Sequence, residues 1–219
     1  MNNLIKRITT SVLLLFILST SLFLNKYLFI ILLIVSSCIS FNEFNNLIKK
    51  NFKKKIQVVL NIQILSILFF ILFIYASYEI YTQSPTFLIW IILICIFSDT
   101  GGFIIGKLIG GKKLTKISPN KTIAGSIGSF IFSLFPLIFF TYIKEFRFHD
   151  DIDLINLVLI SLLLSLICQL GDLFVSYFKR KAKVKDTGNI LPGHGGLLDR
   201  IDGLIFVLPS AFIVHKIFF

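Results

Sequence analysis

The residues best equipped for chemistry lie between 171 and 202. They read Gly171-Asp172-Leu173-Phe174-Val175-Ser176-Tyr177-Phe178-Lys179-Arg180, then Lys183, Lys185-Asp186, Pro192-Gly193-His194-Gly195-Gly196 and Asp199-Arg200-Ile201-Asp202. Four carboxylates and six cations fall within these 32 residues. Asp199 and Asp202 stand at i and i+3, so on a helix they share a face. Two carboxylates so placed can hold a hard divalent cation, with Asp172 as a third ligand. Mg²⁺ takes a few carboxylates together with water and substrate phosphates. Lys179, Arg180, Lys185 and Arg200 can neutralise phosphate oxygens, arginine as a fork and lysine as a point charge. The turn 193–196 lets backbone N–H groups approach an anion. His194 is open to three roles: proton carrier, phosphate donor or structural turn residue. A loop that only sets membrane topology needs cations, but it needs neither four aspartates nor a PGHGG turn. The combination points to phosphoryl or nucleotidyl transfer, in which metal and cations stabilise developing charge.

A second polar block runs Ser98-Asp99-Thr100-Gly101-Gly102-Phe103-Ile104-Ile105-Gly106-Lys107. It continues through Gly110-Gly111-Lys112-Lys113 to Ser118-Pro119-Asn120-Lys121-Thr122. Asp99 lies late in an apolar stretch, where an unpaired carboxylate is expensive. It is either a functional group or a helix-end carboxylate paired with a loop lysine. Gly102 and Gly106 form GxxxG, which serves equally for close helix contact. Ser118, Lys121 and Thr122 supply hydroxyls, a lysine and backbone N–H groups just before a helix, an arrangement that favours phosphate.

These blocks must be positioned by the rest of the chain. Of its 219 residues 56% are hydrophobic and 15% charged, too few charges to clothe a soluble domain of this size. An ordinary globular enzyme, a disordered chain and a secreted disulfide scaffold are excluded. The fold class is an all-α polytopic membrane protein. Apolar windows predict about seven transmembrane helices (six to eight), at 8–24, 27–44, 57–78, 86–107, 123–143, 154–178 and 201–218. Three regions follow: N-terminal helices at 1–83, a middle region with the Ser-Pro-x-Lys-Thr loop at 84–153, and the signature region at 154–219. Lys6 and Arg7 precede an apolar run as in a signal peptide. The small-residue cleavage site is missing, so a retained first helix is expected.

The net charge is +11. Segments 1–7, 49–55, 107–121 and 179–200 carry 18 of the 22 Lys and Arg residues, leaving Lys26, Lys144, Arg147 and Lys216 for the other side. The positive-inside rule then places the N-terminus and both polar blocks in the cytoplasm. The acidic segment 144–153 falls outside. The lysines of 49–55 read as topology anchors touching anionic lipid. Cys38, Cys95 and Cys168 show no metal spacing and read as small buried hydrophobes.

The stretch Ser176-Tyr177-Phe178-Lys179-Arg180…Lys185-Asp186-Thr187-Gly188…Leu191-Pro192-Gly193-His194-Gly195-Gly196-Leu197-Leu198-Asp199-Arg200-Ile201-Asp202 closely resembles the signature of phosphatidate cytidylyltransferases, also called CDP-diglyceride (CDP-diacylglycerol) synthases. Ser98-Asp99…Gly106-Lys107 and Ser118-Pro119-x-Lys121-Thr122 resemble that family's second landmark. Glu43 resembles the acidic residue that ends its N-terminal helices. The resemblance implies the reaction CTP + phosphatidate → CDP-diacylglycerol + pyrophosphate in phospholipid biosynthesis. It implies Mg²⁺, with a monovalent cation such as K⁺ beside it. Asp172, Asp199 and Asp202 would be metal ligands. Lys179, Arg180, Lys185 and Arg200 would contact phosphates, and Asp186 and His194 would complete the catalytic set. Asp99, Ser118, Lys121, Thr122, Gly195 and Gly196 would help hold substrate. A bacterial-type inner membrane, a site facing the cytoplasm and a homodimer are further implications, and no nucleic-acid partner is expected. Four positions depart from the pattern: Ile123 and Ala124 stand in place of Trp and Glu, Val175 in place of an acidic residue, and Gly203 in place of Ser. The rival readings are a CTP-dependent lipid kinase of the polyprenol or phytol type, a secondary transporter and an inactive scaffold.

Overall fold

The structure is a computed structural model that describes residues 3–52, 55–115, 117–142 and 153–218. Most of the acidic segment 144–153 and the loop residues Lys53, Lys54 and Lys116 therefore lie outside the described residues. The helices are α1 (Asn3–Leu24), α2 (Lys26–Asn51), α3 (Ile56–Gln83), α4 (Pro85–Ile109), α5 (Ile123–Phe132), α6 (Phe135–Tyr142), α7 (Leu154–Lys181), α8 (Leu198–Ile201) and α9 (Leu204–Phe218). Among the described residues there is no strand, only two isolated bridges. Seven spans are long and apolar enough to cross a membrane, with α5–α6 and α8–α9 each making one span. The chain is an all-α integral membrane protein, as its composition requires.

The helices run longer than the charge-free windows. α2 continues to Asn51 and α7 to Lys181, because a helix leaving the hydrocarbon can carry polar residues while keeping its backbone bonds. Lys49 and Lys50, and likewise Lys179, Arg180 and Lys181, occupy last turns, where cations complement the helix dipole. The window at 123–143 is broken at Ser133-Leu134. Pro136 has no N–H to offer the preceding turn, so the chain tightens there and restarts. The last window is broken as well. α8 ends at Ile201, and the Asp202 carboxylate accepts the Gly203 N–H at 2.9 Å, a local bond that competes with helix continuation. Asp199 and Asp202 therefore do not share one helix face.

The chain divides into two compact units, Met1–Tyr75 with Phe178–Ile201 and Ala76–Tyr177 with Asp202–Phe219. In the first, α1 lies on α2 and α2 contacts α8. Phe44 meets Phe178 edge to face, the Asn51 amide donates to the Phe178 carbonyl at 3.1 Å, and the Lys181 ammonium sits 4.1 Å from the Phe52 ring centre. The C-terminal ends of α2 and α7 thus share one end of this unit. In the second, α4 is the central element, packed against α5, α6 and α9. Ser84 caps it, accepting the Phe87 N–H, and Pro85 fits its first turn. Phe87, Leu88, Trp90, Ile91 and Ile94 are fully buried. Large apolar side chains elsewhere face outward, among them Phe16, Leu65 and Phe103, which suits a lipid surround. All three cysteines are free. Cys95 and Cys168 are buried as expected, whereas Cys38 is exposed.

Candidate active site

In the second unit, α4 ends at Gly110, whose N–H still reaches the Gly106 carbonyl. The loop beyond is closed by two backbone bonds, from Leu114 N–H to the Lys121 carbonyl at 2.9 Å and from Ile123 N–H to the Lys112 carbonyl at 3.0 Å. Thr122 then caps α5, its Oγ1 accepting the Gly125 N–H at 3.0 Å. This closure delivers Ser118, Asn120, Lys121 and Thr122 to a cavity of about 330 Å³. Asp99 and Gly102 of α4, Ser126 and Ser129 of α5, and Gln169 and Asp172 of α7 complete its polar lining, with Phe103 and Leu114 on its apolar side. Lys121 is ion-paired with Asp172, whose other oxygen accepts from Ser176 at 3.2 Å. Ser126 donates to Gln169 at 2.5 Å. The Cys168 thiol lies 3.9 Å from Asp99.

In the first unit, α7 ends in a Schellman-type cap. Val184 N–H bonds the Lys179 carbonyl and Lys183 N–H the Arg180 carbonyl, each at 3.0 Å, with Lys183 in the left-handed region at φ 55°. The chain then forms a loop pinned at several points. Leu191 and Gly195 exchange backbone bonds of 2.9 and 3.1 Å, which shapes the PGHGG turn. Arg200 donates to the His194 carbonyl at 3.0 Å, and Arg7 of α1 donates to the Gly193 carbonyl at 3.0 Å. The imidazole of His194 lies between two α1 hydroxyls, with Thr10 2.5 Å from Nδ1 and Ser11 3.2 Å from Nε2. Asp199 holds the Lys179 ammonium at 2.7 Å on one oxygen. Its other oxygen accepts from Thr187 N–H at 2.8 Å and from Thr187 Oγ1 and Gly196 N–H at 3.0 Å each. Beside this frame is a cavity of about 580 Å³ lined by Arg7, Lys185, Asp186, Asn189, His194, Gly195 and Arg200.

The structure thus gathers Lys185, Asp186, His194, Gly195 and Arg200 at one cavity, with Lys179, Gly196 and Asp199 in the frame that supports it. It gathers Asp99, Ser118, Lys121, Thr122 and Asp172 at the other. Arg180 is exposed in the last turn of α7. Among the described residues no three His, Cys, Asp or Glu side chains are grouped to hold a metal ion. Asp172 and Asp202 belong to the second unit and Asp199 to the first. Near Asp172 and Asp202 the backbones touch, since a Cβ on Gly171 would lie 2.9 Å from the Asp202 carbonyl oxygen.

Sequence reasoning passed over Asn120, Ser126 and Gln169 because they carry no charge. It took Arg7 for a topology charge, and it placed Thr10, Ser11 and Thr187 in no site. Glu43 was noted but given no role. A signal existed for it: it is the sole acidic residue before Glu79.

His194 gives this geometry a pH dependence. Desolvation, then the positive charges of Arg200 and Arg7, hold its imidazole below the ordinary value of 6.5, against a smaller opposing effect of the Pro192 backbone. The neutral ring suits two hydroxyl neighbours, donating to one and accepting from the other. Because the folded value is depressed, the unfolded chain takes up the proton first. The contribution is therefore complete above 6.5 and declines as pH falls below it. A titration of the imidazole by NMR is expected to give a midpoint below 6.5; a midpoint at or above it contradicts this placement.

Comparison with known proteins shows the family. A profile described as the cytidylyltransferase family matches residues 53–218. A protein named phosphatidate cytidylyltransferase from Staphylococcus saprophyticus is 44% identical over 134 residues, covering 60% of this chain and 50% of the relative. One of the same name from Staphylococcus haemolyticus is 46% identical over 124 residues, 56% of this chain and 46% of the relative. Another, from Staphylococcus epidermidis, is 46% identical over 134 residues, 60% of this chain and 50% of the relative. The chain spans about half the length of the curated relatives it matches. With the profile covering both polar loops and every helix from α3 to α9, the chain belongs to the cytidylyltransferase family.

Proposed function

We propose that the chain transfers the cytidylyl group of CTP to phosphatidate, forming CDP-diacylglycerol and pyrophosphate. The observation that carries this reading is the 176–202 stretch: Lys179 at the end of α7, the loop residues Lys185, Asp186 and His194, and Asp199 and Arg200 of α8 form one pinned frame in a member of the cytidylyltransferase family. An oxygen of the phosphatidate phosphate attacks the α-phosphorus of CTP, and the bond from that phosphorus to the bridging oxygen breaks. Pyrophosphate leaves with the electron pair. The nucleophile is already ionised, so a strong general base is not required. The obstacle is repulsion between two anions, which fixed cations reduce without reorganising at the moment of reaction. Lys185 and Arg200, with Arg7 beside them, suit nucleotide phosphates. Lys121, Ser118 and Thr122 suit a phosphate of nucleotide or lipid, and Phe103 and Leu114 provide an apolar border.

Asp172 and Asp202, whose backbones lie close together, would be the residues to hold Mg²⁺, with water and substrate phosphate oxygens completing its shell. Bound there, Mg²⁺ would supply charge neutralisation on the phosphates. Asp199 is engaged otherwise, by Lys179 and three further donors. The positive-inside rule puts both loops at the cytoplasmic face of a bacterial-type inner membrane, where soluble CTP meets a lipid whose tails stay in the bilayer. The resemblance of the signature adds a homodimer as the working assembly.

The fate of two labels tests the reading. Purified protein in phosphatidate-containing micelles is given CTP labelled at the α- or the γ-phosphorus. The α label is expected in lipid and the γ label in pyrophosphate. A γ label in lipid would identify a kinase, and label in neither lipid nor pyrophosphate would leave the transporter.

A further inference from the structure

Glu43 lies in α2, outside the residues the family profile matches, yet it reaches the signature loop. Glu43 is 4% exposed. One oxygen accepts the Thr187 hydroxyl at 2.8 Å and the Leu198 N–H at 2.9 Å; the other accepts the Leu197 N–H at 3.1 Å. The loop is shaped to admit it. A Cβ on Gly188 would come 2.5 Å from a Glu43 oxygen, and one on Gly196 would collide with both Thr187 Oγ1 and Glu43. Thr187 Oγ1 also meets Asp199 Oδ2, so a single hydroxyl joins Glu43 to the carboxylate that holds Lys179.

Burying a carboxylate is costly, and an apolar residue there would serve mere packing at least as well. Phe44, Leu47 and Ile48 beside it on α2 are buried and apolar. What an apolar side chain cannot do is accept two consecutive backbone N–H groups and a hydroxyl from a loop with little regular structure of its own.

We propose that Glu43 is a positioning residue for the transfer reaction, a template on α2 that fixes the loop from Thr187 to Leu198 and, through Thr187, the Asp199–Lys179 pair. This rests on the function proposed above. Glu43 touches no substrate. It sets where the residues that do so stand.

Glu43→Gln preserves the shape and removes one acceptor oxygen, so an amide NH₂ must face a backbone N–H or the hydroxyl. The variant is expected to elute and unfold like the wild type while kcat falls about 10- to 100-fold, with KM for phosphatidate within about twofold. Hydrogen exchange should quicken in the segment 187–198 and nowhere else. Thr187→Val should do the same, Thr187→Ser should restore near-normal rates, and the Glu43→Gln/Thr187→Val double variant should lose less than the product of the two single effects. Wild-type kcat with unchanged exchange in Glu43→Gln overturns the proposal. So does destabilisation spread over the whole chain with no excess in the loop. If the wild type itself fails to convert CTP and phosphatidate, the function reading fails, and loop exchange alone still decides the role of Glu43.

Discussion

Asp199→Asn is expected to lower CTP-dependent turnover by about a hundred- to a few thousandfold in protein that still inserts and folds. The Asp199 and Lys179 side chains are 4% and 14% exposed, so neither charge can fall back on water. Asparagine offers one oxygen. If that oxygen keeps the Thr187 and Gly196 donors, the NH₂ group confronts the Lys179 ammonium. If it turns to Lys179, the NH₂ group confronts two backbone N–H groups. Either way a buried cation loses its counter-charge, which costs about 3–5 kcal/mol when one partner of such a pair is removed. The loss is concentrated in the loop, because the other donors to Asp199, from Thr187 and Gly196, belong to it. Turnover per folded molecule checks this, with hydrogen exchange of segment 187–198 alongside. A wild-type rate would show that the pair plays no part in catalysis.

Gly125→Val should be nearly as damaging, for a different reason. α4 and α5 approach so closely here that a Cβ on Gly125 would lie 2.8 Å from the Gly102 carbonyl oxygen, 3.1 Å from Thr122 Oγ1 and 3.2 Å from the Gly106 Cα. Two of these are backbone atoms and cannot rotate away. Valine adds two further methyl groups, so the helices must separate, at a cost of about 1–3 kcal/mol or more. Asp99, Gly102, Thr122, Gly125 and Ser126 all line the cavity of about 330 Å³, so the separation deforms the site directly. A lower thermal midpoint and an at least roughly tenfold slower turnover are expected. Ile127→Val, on the exposed side of the same helix, should change neither. Wild-type stability and rate in Gly125→Val would contradict the contact.

The spans were legible because lipid leaves the backbone few options. The helix breaks were less so. Pro136 stood in the sequence, but an apolar window does not distinguish a kinked span from a straight one. Asp202-Gly203 read as helix because i, i+3 spacing assumes the helix it is used to infer. The cations and aspartates of the two loops were legible from their rarity in a hydrocarbon-rich chain, and GxxxG at Gly102 and Gly106 is accounted for by the close approach of α5. What pairs with what was not legible. Nothing in spacing says that Asp199 takes Lys179, that Lys121 takes Asp172, or that Arg7, Thr10 and Ser11 of α1 meet a turn that follows almost the whole chain later. Those are tertiary facts. Glu43 is the instructive case: a lone carboxylate in an apolar helix announces a partner, and only the fold reveals that the partner is a backbone loop.

Pyrophosphate release is the most direct measure of nucleotidyl transfer to a lipid phosphate. Purified protein with CTP and Mg²⁺ should release pyrophosphate only when phosphatidate is added, one molecule for each CDP-diacylglycerol formed. Release that ignores phosphatidate, or inorganic phosphate or CDP appearing in place of pyrophosphate, would contradict it.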